Sequence, residues 1–199
     1  SNKGINAAIF DHSSGGEAIK ANIIVDDAAS KGTRPYVVAI DDNVLNFLVA
    51  WDRESSSVSG DHNIYGRQID KQGNLIGATF IINDTNYSED CCVALASDGS
   101  GNVSAAWLRK TSNAKWHVYM RKVIEGGNLV NESESNKEVA IAPEEDVDAS
   151  NVSITYSGSN LITVWEDGGD IKSASYNGSE VKTHIISEKE GIGKRPSIA

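Results

Sequence analysis

The sequence has few of the residues and runs that mark specialised classes of protein. Only two cysteines and three prolines occur in 199 residues, beside 18 glycines, so the composition is neither collagen-like nor disordered. No apolar run approaches the roughly 18–20 residues that a membrane-spanning helix needs, and we expect no membrane insertion. The 18 basic residues are outnumbered by 28 acidic ones, for a net charge of −10. That balance argues against a nucleic-acid partner.

The two cysteines, Cys91 and Cys92, are adjacent. No Cys-x-x-Cys or Cys/His ligand spacing is present, which argues against a structural zinc site. Adjacent cysteines can close a strained ring, but two thiols side by side on a strand are the simpler interpretation.

Asn-x-Ser/Thr sequons are more frequent than the Asn, Ser and Thr content alone would give. They begin at six positions: Asn83, Asn86, Asn102, Asn131, Asn151 and Asn177. The excess indicates an extracellular or cell-surface location, although turn chemistry rich in Ser and Asn would give the same pattern.

A repeat is the strongest signal in the sequence. Three segments align without gaps over seventeen positions, each ending in a tryptophan, and the tryptophans are 56 and 58 residues apart. Each segment also has an asparagine five residues before its tryptophan. The repeated residues, which we assign a structural role, are Trp51, Trp107, Trp165, Asn46, Asn102 and Asn160.

Each repeat predicts four short antiparallel strands separated by turns. In the first unit they are expected at 36–40, 46–51, 63–69 and about 76–82. The second strand is apolar on both faces, which predicts cover on both sides. Units of about 50–57 residues with four strands have the dimensions of propeller blades. The fold class is therefore predicted to be an all-β propeller, incomplete or four-bladed.

The repeats are out of register with the chain ends. One array over residues 1–199 is predicted. Residues 1–33 supply two strands of a closing blade, and residues 194–199 begin another strand of it. Three complete blades lie between them, at 34–88, 89–144 and 145–193. The closing blade lacks one strand, so further blades or another copy of the chain are expected to close the ring. An open array would leave bare strand edges that invite association.

The segment Phe47–Asp84, which contains FLVAWDR and DHNIYGRQIDKQGNLIGATFIIND, resembles a known repeat family. These Leu-Val-x-Trp and Ile-Tyr-Gly repeats occur in large secreted or surface proteins of bacteria and archaea. The resemblance implies a β-propeller and an extracellular setting, and it carries over no catalytic residues. It is weaker in the later units, where Met120 and Ser173 stand at the position of Gly66.

No cofactor is expected, and only weak candidates for Ca²⁺ are present. Asp98 opens a polar turn with oxygen-bearing residues at alternate positions, and an acidic connection contains Glu144, Glu145 and Asp146. Hard cations prefer such oxygen ligands. A hairpin turn and a solvated loop are the favoured interpretations.

Candidate ligand-binding residues are few. Trp116 has no counterpart in the other repeats and follows a polar run, so it is a candidate for an exposed aromatic contact. The other candidates are His117, Arg67 and Arg121. The repeated tryptophans are instead expected in the core, because they end the most apolar strand.

No catalytic residues are predicted, because no nucleophile elbow or phosphate loop is present. The favoured function is a non-catalytic extracellular propeller that serves as a scaffold or binding surface for protein or glycan. A carbohydrate-binding, lectin-like propeller is the first alternative. The second is a glycan-active hydrolase or lyase, which would need paired carboxylates in a central pocket.

Overall fold

The computed structural model describes most of the chain. The described residues are 4–13, 15–26, 32–41, 45–55, 60–84, 89–111, 114–130, 137–142, 148–187 and 195–199. Every regular element among them is a β-strand. Within these ranges, no helix is long and apolar enough to cross a membrane.

Fifteen strands follow one another along the chain. Their bounds are β1 Asn6–Asp11, β2 Glu17–Ile24, β3 Gly32–Ala39, β4 Phe47–Glu54, β5 His62–Ile69, β6 Leu75–Ile81, β7 Asp90–Ser97, β8 Val103–Lys110, β9 Trp116–Glu125, β10 Asn128–Leu129, β11 Val139–Ala140, β12 Ala149–Ser157, β13 Asn160–Asp167, β14 Asp170–Tyr176 and β15 Val181–Ser187.

The strands form one hairpin and three antiparallel sheets, in which sequence neighbours pair. The N-terminal hairpin is β1 with β2, sheet 1 is β3 to β6, sheet 2 is β7 to β11, and sheet 3 is β12 to β15. In sheet 2 the fourth position is shared, because β10 and β11 each pair with a different part of β9. Antiparallel hairpins need only short turns, and so the repeat folds locally.

The core lies between successive sheets. Three buried apolar clusters join the hairpin to sheet 1, sheet 1 to sheet 2, and sheet 2 to sheet 3. Each cluster contains one repeated tryptophan, which packs against the preceding sheet: Trp51, Trp107 and Trp165 are 0%, 0% and 1% exposed. Both faces of the second strand in each sheet are therefore covered, as its apolar pattern requires.

A β-bulge recurs opposite each tryptophan. In every sheet, two residues of the first strand lie opposite the single tryptophan of the second. The first bulged residue has a positive φ, at 49° for Arg34, 63° for Cys92 and 53° for Asn151. The left-handed conformation adds the extra residue and increases the local twist. Arg195 repeats this conformation with a φ of 52°.

The bulges correct the ungapped alignment of the repeats. The structure matches Arg34 with Cys92 and Asn151, since each is the first bulged residue opposite its tryptophan. The sequence alignment matches the tryptophans correctly. On the first strand, however, it is displaced from the structural match by two residues in sheet 2 and by three in sheet 3. The turn between the first two strands is shorter in sheets 2 and 3 than in sheet 1. The bulge lies opposite the tryptophan in all three sheets, whereas the length of this turn changes.

Candidate functional site

A cleft of about 380 Å³ lies between sheets 2 and 3. Its walls combine aromatic rings, hydroxyls and amides with charged side chains, a composition typical of sites for small polar ligands. Among the residues that line it are Asp98, Asn102, Ser104, Arg121, Lys122, Lys137, Tyr156, Leu161 and Tyr176.

The aromatic wall is a cross-strand row on sheet 3. Tyr156 pairs with Leu161, and Leu161 pairs with Tyr176. Directly opposed residues of antiparallel strands lie on one face of the sheet, so the two rings flank the leucine. Both tyrosines are half-buried and pack on the cluster between sheets 2 and 3. The row therefore presents a stepped apolar surface at the cleft.

The Tyr156 hydroxyl links the two sheets. It lies 2.8 Å from the Ser104 Oγ, and either oxygen can donate the hydrogen bond. Burial raises the pKa of Tyr156, and the hydrogen bond to Ser104 only partly offsets that effect. The phenol therefore stays protonated, and the ring is held in place across the cleft.

The polar wall is the turn between β7 and β8. Asp98 Oδ1 accepts hydrogen bonds from the backbone N–H groups of Ser100 at 2.8 Å and Asn102 at 3.1 Å, while Oδ2 accepts from Asn102 Nδ2 at 2.5 Å. Burial opposes ionisation of Asp98, but the hydrogen bonds from Asn102 and Ser100 outweigh it and lower the pKa. Asp98 thus stabilises the turn, as the hairpin interpretation requires.

No cation site is found around this turn or elsewhere in the described ranges. Within them, no group of three or more His, Cys, Asp or Glu side chains could hold a metal ion. The acidic candidates Glu144, Glu145 and Asp146 lie outside the described residues.

Two of the basic side chains that line the cleft contact acceptors. Arg121 is buried, and its Nη2 donates to the Val130 carbonyl at 3.1 Å. Lys122 Nζ lies 2.7 Å from the Glu125 carboxylate. Neither of these two residues therefore offers the cleft an unpaired positive charge.

The other three sequence candidates lie elsewhere. Trp116 is half-buried, with Lys110 Nζ 5.5 Å from its ring centroid. His117 is 1% exposed, and neither ring nitrogen has a hydrogen-bond partner within the described structure. Arg67 donates to the carbonyls of Val25 and Gly77 at 3.1 and 3.2 Å. Only Arg121 among the four candidates lines the cleft.

A buried ionic network that sequence reasoning missed surrounds the tryptophan of sheet 2. Asp90 accepts hydrogen bonds from Trp107 Nε1 at 2.9 Å and from Arg109 Nε at 2.8 Å. Arg109 also pairs with Glu138, and Asn83 Nδ2 donates to Asp90 at 2.8 Å. The signal in the sequence was an arginine two residues after the tryptophan.

A smaller network of this kind is present in sheet 1, and the described residues of sheet 3 do not form one. Asp26 accepts from Trp51 Nε1 at 3.0 Å and from Arg53 Nη1 at 2.7 Å. In sheet 3 the arginine position holds Asp167, and the Trp165 Nε1 has no hydrogen-bond partner in the described part of the chain. The part of the network in sheet 2 is internal, because the side chains of Asp90 and Arg109 are fully buried.

Two carboxylates occupy one repeat position near the end of the second strand, in sheets 1 and 3. Asp52 and Glu166 each follow the repeated tryptophan, where sheet 2 has Leu108. Asp52 is 1% exposed, accepts from Thr33 Oγ1 at 2.6 Å and lies 3.6 Å from Arg34. Its Oδ1 is buried without a hydrogen bond among the described residues.

A second cleft, of about 620 Å³, lies between β1 and sheet 1. Its lining is mainly apolar and includes Ile9, Phe10, Tyr36 and Val37. The free edge of β1 borders this space, because β1 pairs with β2 alone among the described strands. Such a surface does not suit a strongly polar ligand.

The sequence matches no family model and no curated protein. Solved structures are similar in fold. An α-L-arabinanase of Penicillium chrysogenum, complexed with arabinobiose, is 11% identical with a TM-score of 0.58 over 89% of this chain and 51% of its own. The GH93 α-L-arabinofuranosidase of Fusarium graminearum with arabinobiose is 9% identical with a TM-score of 0.56 over 92% and 54%.

The chain spans about half the length of both solved structures. At such low identity the likeness concerns the fold alone. The antiparallel four-stranded sheets and this similarity to β-propeller glycosidases confirm the predicted fold class, and the described sheets do not close a ring. The chain has the fold of an incomplete β-propeller.

Proposed function

We propose that the chain is a non-catalytic, glycan-binding propeller module, which holds a short neutral saccharide in the cleft between sheets 2 and 3. The observation that carries the proposal is the row of Tyr156, Leu161 and Tyr176 facing a polar turn. A sugar ring offers an apolar C–H face and a rim of hydroxyls. Aromatic rings match the first and fixed polar groups match the second.

The dimensions of the cleft support this ligand class. Its volume of about 380 Å³ lies near the lower end of the range of small-molecule sites, roughly 300–1,000 Å³. The space therefore suits a disaccharide better than a protein loop. Both solved structures of similar fold contain arabinobiose, which makes that disaccharide a suitable first probe.

The charge of the site supports a neutral saccharide. Lys122 already contacts Glu125, and Arg121 donates to a backbone carbonyl. With a net charge of −10, the whole chain also repels polyanions. An extracellular or cell-surface setting, where such ligands are abundant, remains part of the proposal.

Calorimetric titration tests the proposal. Wild-type protein is titrated with arabinobiose and with a panel of neutral disaccharides, and we expect a Kd of about 0.1–1 mM, near 4–5.5 kcal/mol, for at least one of them. Tyr176→Ala should weaken that binding about fivefold or more, because it removes one ring of the row.

Tyr36→Ala is the matched control. Tyr36 is 40% exposed on β3 and borders the apolar cleft instead, so its removal should leave saccharide binding unchanged. Equal loss in both variants, or no binding to any disaccharide of the panel, would contradict the proposal.

Glycan hydrolysis is a second candidate, favoured by the placement of Asp52 and Glu166. Glycosidases use two carboxyl groups, one as acid and one as base or nucleophile, about 5–9.5 Å apart. The two acids share one repeat position, and Asp52 is buried beside Arg34. A hydrolase would require these carboxyl groups, which lie on sheets 1 and 3, to approach within that distance across the array.

An activity assay separates the two candidates. Hydrolysis would release reducing sugar from arabinan or from arabino-oligosaccharides, and Asp52→Asn and Glu166→Gln would each abolish it. Our primary proposal predicts no release by wild-type protein. It also predicts that both variants bind saccharide as the wild type does.

A further inference from the structure

The adjacent cysteines lie in unusual mutual geometry at the start of the first strand of sheet 2. The Sγ atoms of Cys91 and Cys92 are only 2.6 Å apart, in direct contact. Neighbouring side chains of a regular strand point to opposite faces. The bulge removes that alternation, because Cys92 has a φ of 63° and lies outside the regular pairing.

A cation from the neighbouring sheet contacts one of the two sulfurs. Arg34 Nη1 lies 3.3 Å from the Cys92 Sγ. The arginine side chain is 58% exposed, and Cys92 is half-buried while Cys91 is buried. A small reagent can therefore approach Cys92 from solvent, beside a guanidinium that favours negative charge on sulfur.

We propose that Cys91 and Cys92 form a reversible thiol–disulfide site, in which Cys92 reacts with a low-molecular-weight disulfide and Cys91 then closes a vicinal disulfide. The paired sulfurs, the bulge and the facing guanidinium together carry this assignment. It lies outside the saccharide cleft and does not depend on the proposed function.

The reaction is two successive exchanges. The Cys92 thiolate attacks one sulfur of the external disulfide, forms a mixed disulfide and releases one thiolate. Cys91 then gives up its proton to that leaving group and attacks the Cys92 Sγ. This attack expels the second thiolate, which takes up from water the proton that Cys92 had released. Two protein thiols are oxidised and one external disulfide is reduced to two thiols.

The electrostatics distinguish the two cysteines. The contact with Cys91 lowers the pKa of Cys92, against the effect of burial. The charge of Arg34 lowers it further, whereas the nearby carboxylate of Asp52 raises it. The same contact and burial raise the pKa of Cys91. Cys92 is therefore the attacking group and Cys91 the resolving one.

The site is expected to be readily reduced again. Adjacent α-carbons are about 3.8 Å apart, below the range of about 4.4–6.8 Å in which ordinary disulfides form. The closed ring is strained, and strained disulfides have more oxidising potentials. The product is thus a labile bond rather than a permanent crosslink.

Intact-mass spectrometry after incubation with glutathione disulfide and acid quenching tests the proposal. Wild-type protein should lose the mass of two hydrogens without keeping an adduct, and dithiothreitol should reverse the change. Absence of any reaction, or a stable glutathione adduct on the wild type, would overturn the assignment.

Single variants test the order of attack. Cys91→Ser should retain one glutathionyl adduct, whereas Cys92→Ser should form an adduct at least tenfold more slowly. Equal rates in the two variants would contradict the assigned roles. Because the wild-type result is independent, poor folding of either variant leaves the proposal testable.

The arginine is tested by its effect on rate. Arg34→Gln should slow the reaction of Cys92 about 3- to 10-fold near pH 7, since the thiolate fraction falls when the cation is removed. Lys182→Gln is the charge-matched control, because Lys182 lies on sheet 3, is 62% exposed and pairs with Glu180 at 3.4 Å. Identical slowing in both variants would refute the role of Arg34.

Discussion

At the scale of single residues, the buried ionic network of sheet 2 is the most consequential feature. Arg109 has a fully buried side chain and bridges two carboxylates, those of Asp90 and Glu138. Burial opposes the charge on Arg109, but its hydrogen bonds to Glu138 and its attraction to Asp90 raise its pKa. A buried charge is tolerated only when its partners remain in place.

Removing that arginine should be costly. Arg109→Gln is expected to lower the free energy of unfolding by about 3–5 kcal/mol, because two carboxylates lose their cation. Arg53→Gln is the matched variant in sheet 1, where the arginine is 15% exposed and pairs with one carboxylate. It should cost about 1–2 kcal/mol. Urea unfolding measures both, and equal losses would contradict the difference in burial.

The pH dependence of stability should report on Asp90. Burial raises the pKa of Asp90 to about 7 from its ordinary value of 3.8, and Arg109 only partly offsets that effect. Between these values the folded state holds a proton that the unfolded chain has released, so the Asp90 contribution falls as pH rises through this window.

Asp90→Asn isolates that contribution. The variant should lack the pH-dependent contribution of Asp90 to the free energy of unfolding. The difference in that free energy between wild type and variant should therefore shrink from pH 5 to pH 8. Urea unfolding at both values measures it. A constant difference would show that Asp90 does not change its protonation in this range.

At the scale of the element, the sequence predicts the positions of the strands but not the bulges in the first strand of each sheet. The alternation of apolar residues predicted the strands, and Phe47–Glu54 and His62–Ile69 lie close to their expected bounds. The first strand begins earlier, at Gly32, because its pairing continues past the bulge. No periodicity reveals a left-handed residue that is not glycine. The ungapped alignment is displaced because the turn between the first two strands differs in length between the sheets.

The bulge conformation should appear in mutant stabilities. Asn151→Val is expected to lower the free energy of unfolding by about 1–2 kcal/mol, because a β-branched residue fits the left-handed region poorly. Asn151→Gly should cost less, and Thr155→Val, in the regular part of the same strand, should be nearly neutral. Thermal unfolding compares the three. A neutral Asn151→Val would argue against the bulge.

The candidate site shows the same limit. Arg121 was identified from the sequence, whereas Tyr156 and Tyr176 were not, because they come from different strands of one repeat and meet only through pairing with Leu161. Asp98 was recognised as a turn residue, but its place in the wall of a cleft depends on how sheets 2 and 3 pack. Sheet packing is a long-range property that short motifs do not contain.

At the scale of the whole molecule, the described sheets form an arc whose two ends differ from its middle. Sheet 2 packs against a neighbour on each side, while the N-terminal hairpin consists of only two strands. Its Phe10 is 62% exposed beside the apolar cleft. Closure of the ring by further blades or by another copy of the chain remains a prediction.

Hydrogen exchange should follow this gradient. Amides of β8, which is buried along seven of its eight residues, should exchange most slowly, and those of β1 and β2 fastest. A two-stranded hairpin is marginal by itself and opens locally. Mass-spectrometric exchange on peptides measures both regions. Equal protection of the hairpin and β8 would mean that the edge of β1 is covered in solution.

The most direct test of the central claim is a nuclear magnetic resonance titration with arabinobiose and the neutral disaccharide panel. We predict saturable amide shifts confined to the cleft, at residues such as Ser104, Tyr156 and Tyr176. No shift at saturating saccharide would contradict glycan binding by this chain. Shifts centred instead on Asp52 and Glu166 would contradict the assigned cleft and favour the hydrolase candidate.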